Sequence, residues 1–293
     1  MSKCSVGIDV TAKDVKMVCL TQKAGQVHLA DYAVAPLTDP ESVKKALLHP
    51  AIHRGTTRYS IHDGTIKIRK ITVPIVPKQE LDEVIRWALK DATKTSVEGH
   101  TIRYYPVGGA GDKQQSYLAM AVEQKKIQDH VIELQKIGVG QPQLIEPSAQ
   151  ALANCVGHNY ELKLTDRCAA IHLDPYLAYY TVVSPEGLLF YRTFSRIDGN
   201  TRTDLSQFFS KLTVEIQYSC ENYLAQFPNQ PITQAILSGE EAALPGLKAH
   251  IEETLQVPTQ QLEVFKKIEL SEQQRAGLGD SAISHCIAVG LAL

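Results

Sequence analysis

Six cysteines and ten histidines decide first whether this chain can hold a metal or run thiol chemistry. Cys4, Cys19, Cys155, Cys168, Cys220 and Cys286 are scattered through apolar stretches without a C-x-x-C pair, and they read as buried, reduced thiols. The histidines make no H-x-x-x-H or H-E-x-x-H pattern, so no zinc centre is expected. Ser60, His62 and Asp63 are hydrolase residue types, but proximity along one strand and turn does not make a triad. The run Gly108-Gly109-Ala110-Gly111-Asp112 has the glycine content of a phosphate cradle. Its flanks read as strands on both sides, whereas a phosphate loop is expected to run from a strand into a helix, so it reads as a hairpin loop. Lys67, Arg69 and Lys70 alternate with Ile66, Ile68 and Ile71, just ahead of an amphipathic segment around Trp87, the single tryptophan. That surface suits an extended peptide, by strand addition or in a groove, and equally suits a solvated, protected sheet edge.

The composition fits a globular protein of two compact lobes: 293 residues, 44% hydrophobic and 21% charged, with a formal net charge of -2. Thirty Lys+Arg against thirty-two Asp+Glu leave no excess positive charge, so no nucleic-acid partner is expected. The longest apolar runs, 176–183 and 283–293, fall short of the roughly 20 residues that span a bilayer. Residues 1–5 lead into a strand-like run instead of a signal peptide, so no direct membrane insertion and a cytoplasmic location are expected.

The elements that must position any site come in a repeated order. Residues 4–10, 14–20 and 26–35 read as a three-strand meander, followed by a short helix capped by Asp39-Pro40 and ending near Leu48. Strands over 58–61 and 66–73 are expected to form a hairpin through His62-Asp63-Gly64, since Asp-Gly is a strong turn signal. A helix over 78–92, strands over 101–107 and 116–122, a helix over 123–137, a brief strand at 144–145 and a helix over 148–156 come next. The meander then restarts at 168–173, 177–183 and 188–194, followed by a long helix over about 203–223. A strand at 235–237, a helix over about 244–255 and a closing helix from 280 or 281 to 293 complete the chain. Two similar α/β halves around a cleft are the expected architecture, with ligand between the halves and the first turn of each meander facing the other.

Residues 6–16, Ile71-Thr72-Val73-Pro74 with Glu80-Leu81 and Ala88, residues 119–122 with 145–152, Leu237-Ser238-Gly239 with residues 244–247, and residues 288–293 resemble the type IV pilus assembly PilM family. That family is related to the division protein FtsA among the actin-like ATPases, and the MSHA-pilus biogenesis proteins are similar. The resemblance implies an α/β, two-lobed actin-like fold with an inserted α/β subdomain. The first lobe would span 1–73, the insert 74–145, a return and linker 146–165, and the second lobe 166–293. It further implies a cytoplasmic scaffold at the inner-membrane pilus platform, holding the N-terminal peptide of a PilN-like membrane protein between first lobe and insert. Lys67, Arg69 and Trp87 are the expected peptide-binding residues. Self-association of the kind actin relatives show is compatible with this fold.

The resemblance also implies ATP and Mg in the cleft, with Asp9, Thr11, Lys13, Asp174, Ser238, Gly239 and Glu240 as its residues and Asp9 as the metal residue. Asp9 could position magnesium through water and Lys13 could neutralise a phosphate; both fit a turn and a surface lysine equally well. Thr11 stands where the family has glycine, and Ala12 and Lys13 replace its serines. In Ile171-His172-Leu173-Asp174-Pro175, either His172 replaces the family's Asp and Asp174 its Gly, or Asp174 is the retained Asp and Pro175 intrudes. Ser238-Gly239 match, with Glu240 in place of a second glycine, and Asp198-Gly199-Asn200 alters a later turn. A carboxylate or a lost donor at such a turn opposes phosphate, so poor or absent ATP binding with the fold retained is expected. No catalytic residue is assigned, and at most a weak ATPase is expected. The alternatives are an ATP-regulated assembly switch and an actin-fold phosphotransferase, for which Asp174 is the one candidate base.

Overall fold

The computed structural model describes residues 4–48, 55–62, 64–108, 111, 113–138, 142–175, 177–194 and 204–293. β1 (Cys4–Val10), β2 (Asp14–Lys23) and β3 (Gln26–Pro36) form the expected antiparallel meander. α1 (Pro40–Leu47) follows, with Asp39 accepting from the Ser42 N–H and Pro40 in the first turn, where its missing donor costs nothing. β4 (Thr56–Ile61) then lies parallel to β1, and β8 (Leu144–Pro147) parallel to β4.

β5 (Lys67–Pro74) does not fold back on β4. Instead β5 is antiparallel to β7 (Gln114–Glu123), which also pairs β6 (His100–Pro106), in a separate three-stranded sheet. The expected hairpin is therefore corrected: β4 satisfies its backbone between β1 and β8, which leaves no edge for β5. Asp63 of that turn lies outside the described residues, as do Gly109, Ala110 and Asp112 of the glycine-rich loop. One face of the small sheet carries α2 (Lys78–Thr93), whose Ile85 and Leu89 pack with Ile71, Val73, Ala119 and Ala121. Ile68 and Leu118, on the other face, join the main core shared with the second half. Tyr105 Oη donates to the Leu188 carbonyl there at 2.6 Å. α3 (Gln124–Lys136) buries Leu134 among Val6, Ile8 and Met17 of the first sheet.

α4 (Ser148–Asn159) leads into the second half. β9 (Cys168–Leu173), β10 (Ala178–Ser184) and β11 (Gly187–Thr193) form a second antiparallel meander. α5 (Leu205–Gln226) follows, then β12 (Gln234–Ser238) parallel to β9, α6 (Leu247–Leu255) and β13 (Thr259–Gln261) parallel to β12. The two large sheets thus read β3-β2-β1-β4-β8 and β11-β10-β9-β12-β13, the same order and the same strand directions. β14 (Ile268–Glu269) crosses back to pair with β3, and α7 (Glu272–Leu278) begins on a Ser271/Gln274 capping box.

The closing helix is shorter than expected: a 3-10 segment (Gly279–His285) precedes α8 (Cys286–Ala292). α8 lies on β1 and α4 so closely that a Cβ on Gly7 would overlap the Ala288 carbonyl oxygen, and one on Gly290 the Ala151 carbonyl oxygen. Two cysteines also differ from expectation, since Cys4 and Cys19 form a disulfide. Antiparallel pairing sets Val6 opposite Cys19, which makes Cys4 its diagonal neighbour on the same face. Cys155, Cys168, Cys220 and Cys286 are free.

Candidate functional site

The duplicated sheets place two equivalent turns face to face. β1 and β2 end on the pair Val10–Val15, with the Thr11 N–H donating to the Asp14 carbonyl at 2.9 Å. β9 and β10 end on Leu173–Ala178, with the Asp174 N–H donating to the Leu177 carbonyl at 2.8 Å. Val10 therefore corresponds to Leu173, Asp9 to His172 and Thr11 to Asp174. Within the chain, then, His172 stands in the second half where Asp9 stands in the first, and Asp174 where Thr11 stands. The neighbouring parallel strands repeat the match, since Ile8 is opposite Tyr59 and Ile171 opposite Leu237, which makes Ser60 the counterpart of Ser238 and His62 that of Glu240.

In each turn, backbone amides are already taken by side chains of the chain itself. In the first, Thr11 Oγ1 accepts from the Lys13 and Asp14 N–H groups, both at 3.1 Å, and donates towards Asp14 Oδ1 at 2.8 Å. Those amides are the donors that a backbone cradle would offer to phosphate. In the second, Asp174 Oδ1 accepts from the Glu240 N–H at 2.7 Å, and His172 Nε2 donates to Oδ2 at 2.8 Å. Gly239 makes this possible, because a Cβ at its φ of +90° would meet Asp174 Oδ1 at 2.8 Å. Ser238, fully buried, sets His172 from behind, with Oγ 3.1 Å from Nδ1.

Asp9 lies beneath the first turn at 3% exposure, its Oδ1 accepting from Ser60 Oγ and His62 Nε2, both at 2.6 Å. Burial pushes its carboxyl up, but the charge and hydrogen bond of His62, the Ser60 hydroxyl and the Lys16 charge outweigh that and hold it below the ordinary value. Asp174 is depressed in the same way, with burial opposed by His172, the Glu240 amide and Lys16. Between the turns, Lys16 Nζ is 2.9 Å from Asp14 Oδ1 and 3.5 Å from Glu240 Oε1, and Lys13 Nζ is 3.1 Å from Glu240 Oε2. A cavity of about 450 Å³ opens beside these groups, walled by Val10, Leu37, Leu134 and Leu177 and edged by His62 and His130.

Magnesium prefers near-octahedral oxygen ligands and several waters. The two candidate carboxylates instead face imidazoles and a backbone amide. Among the described residues no cluster of three or more His, Cys, Asp or Glu is placed to hold a metal ion.

All seven expected cleft residues thus converge on the interlobe turns. The expected peptide residues are only partly together. Trp87, 71% exposed, lines a shallow groove with Lys90, Lys94, Thr95 and Ser96. Lys67 Nζ reaches the same rim, 2.8 Å from Thr95 Oγ1. Arg69 is half-buried on the face of β5 towards α2, its guanidinium donating to the Ile68 carbonyl at 2.8 Å, and burial lowers its pKa. Lys70 is on the opposite face, with Nζ 4.6 Å from the centre of the Phe227 ring. Sequence reasoning missed the roles of Lys16, Ser60 and His62. A lysine inside the apolar run Val15-Lys16-Met17-Val18 was the available signal.

The family model described as type IV pilus assembly protein PilM matches residues 198–293. No curated protein matches the sequence. Among solved structures, the PilM–PilN type IV pilus biogenesis complex is similar with a TM-score of 0.79 at 16% identity, covering 98% of this chain and 97% of that one. A Bacteroides thetaiotaomicron protein with an actin-like ATPase fold and unknown function gives 0.51 at 7% identity, covering 100% and 96%. The ethanolamine utilization protein EutJ from Carboxydothermus hydrogenoformans gives 0.50 at 10% identity, covering 100% and 90%. The chain therefore has the actin-like ATPase fold and is PilM-like, by family model over its last part and by fold over nearly its whole length.

Proposed function

We propose that this chain is an adaptor in the assembly of a type IV pilus or related secretion machine, and that it binds the cytoplasmic N-terminal peptide of a PilN-like inner-membrane protein without using ATP. The observation that carries the assembly role is the PilM match, joined to a likeness to a complex that contains PilN. Localisation follows from the role: the chain would work in the cytoplasm and reach the inner-membrane platform through its partner. In keeping with that, no helix among the described residues is long and apolar enough to cross a membrane. Lys67 and Trp87, at the rim of one groove, are the residues we assign to the peptide, with Arg69 supporting the strand behind them.

The ATP-independent part of the reading rests on donors already filled. Thr11 takes the amides of the first turn and Asp174 the Glu240 amide of the second. A triphosphate would have to displace both, and would face the carboxylates of Asp9, Asp14, Asp174 and Glu240, with Lys13 and Lys16 the lysines that line this cleft among the described residues. Calorimetric titration of the full chain with the partner's N-terminal peptide, with and without Mg-ATP, tests both parts. The expected result is peptide binding that ATP does not alter and that Trp87→Ala weakens, with no ATP heat even at millimolar concentration. Micromolar ATP binding lost in Asp9→Ala would replace this reading with the nucleotide-regulated switch.

A further inference from the structure

We infer that the chain closes its own interlobe cleft: the Glu240 and Asp174 carboxylates, with Lys13 and Lys16, form a clamp that joins the two turns where a polyphosphate would otherwise join them. The inference rests on the ATP-independent reading above and gives that cleft a structural task.

The clamp is built from both halves of the chain. Glu240, just after β12, divides its carboxylate between two lysines of the first half, Oε2 to Lys13 Nζ at 3.1 Å and Oε1 to Lys16 Nζ at 3.5 Å. Its own backbone is fixed by Asp174, which accepts from the Glu240 N–H at 2.7 Å and is held from behind by His172. Asp14 anchors Lys16 on the opposite side at 2.9 Å. Lys16 is only 3% exposed, so water screens its interactions little, whereas Glu240 at 27% and Lys13 at 55% face solvent. Elsewhere the halves are joined through the small sheet, where Tyr105 meets Leu188 and the Gly108 N–H meets Glu186, through β14 paired with β3, and through α8 packed on β1, so losing the clamp should loosen the turns without parting the lobes.

Amide hydrogen exchange followed by mass spectrometry on the full chain reads this directly. In Glu240→Gln, which keeps the side-chain shape, peptides covering Thr11 to Asp14 and Gly239 to Ala242 should exchange several-fold faster than in wild type. Those of β5 to β7 should not change, which reports an intact fold. Asp174→Asn should do the same, and 1 M sodium chloride should reproduce the effect in wild type because one side of the clamp is solvent-facing. Unchanged exchange at both turns in the two variants overturns the clamp. That failure is distinct from failure of the ATP-independent reading, which would appear as ATP binding to the wild-type chain.

Discussion

Lys16 is the buried cation of the cleft, 3% exposed between carboxylates of both turns. Burial pushes its pKa down, but the hydrogen bond to Asp14 and the charges of Asp9, Asp14 and Asp174 outweigh this and hold it above the ordinary lysine value. Its ammonium is therefore charged throughout the neutral range, as the surrounding carboxylates require. Lys16→Met removes the one buried lysine or arginine among the described residues and leaves buried carboxylates uncompensated, for which the expected loss is about 3–5 kcal/mol in urea unfolding. Lys13→Met breaks a pair whose lysine is 55% exposed, and should cost no more than about 1 kcal/mol. Equal losses would mean that burial does not distinguish the two lysines. At this scale the sequence was legible where a turn residue departs from a known pattern, as with Thr11, Asp174 and Glu240. It was not legible where the partner comes from another strand: Ser60 and His62 reach Asp9 only because β4 lies parallel to β1.

Strands and helices with strong alternation or helical period were legible almost to the residue, the two meanders above all. The hairpin expected through Asp63 failed because local turn chemistry yielded to a tertiary demand, the need of β4 for partners on both edges. β13 and β14, three and two residues long, are too short to show any period, and α7 was not expected, its one sequence signal being the capping-box spacing Ser271-x-x-Gln274. The apolar, small-residue character of α8 reads from sequence as a buried helix, but not which glycine the packing needs. Gly290 is that residue, since a methyl there would overlap the Ala151 backbone. Gly290→Ala should therefore destabilise the chain by about 1–3 kcal/mol even though alanine favours helix. Gly157→Ala in α4, where an added Cβ meets nothing within 4 Å, is the control and should be neutral or stabilising. Thermal unfolding of the two variants separates a packing requirement from mere glycine flexibility.

At the scale of the whole molecule, the two halves and the small sheet share one core, and two histidines, the buried His285 and the half-buried His130, sit where these parts meet. His130 of α3 donates from Nε2 to the Ser60 carbonyl at 2.8 Å, beside the cleft and near His62 and Glu133. His285 precedes α8, packs edge-on against Tyr32 with ring centroids 5.9 Å apart, and has Lys16, Asp14 and Asp9 as its charged neighbours. Burial lowers the pKa of both imidazoles below the ordinary 6.5, more than their carbonyl partners raise it. The unfolded chain then binds protons more readily than the folded one. The stability these neutral rings contribute is complete above about pH 6.5 and is lost as pH falls from there through their folded values. Lys16, with a raised pKa, acts only above about pH 10, and Asp9, with a lowered one, only below about pH 4, so neither enters this window. The urea midpoint should accordingly fall between pH 7.5 and 5.5, and His285→Gln, which cannot take up a proton, should make that fall shallower. A midpoint that stays level over this interval would show that the junction between the parts tolerates a charged imidazole.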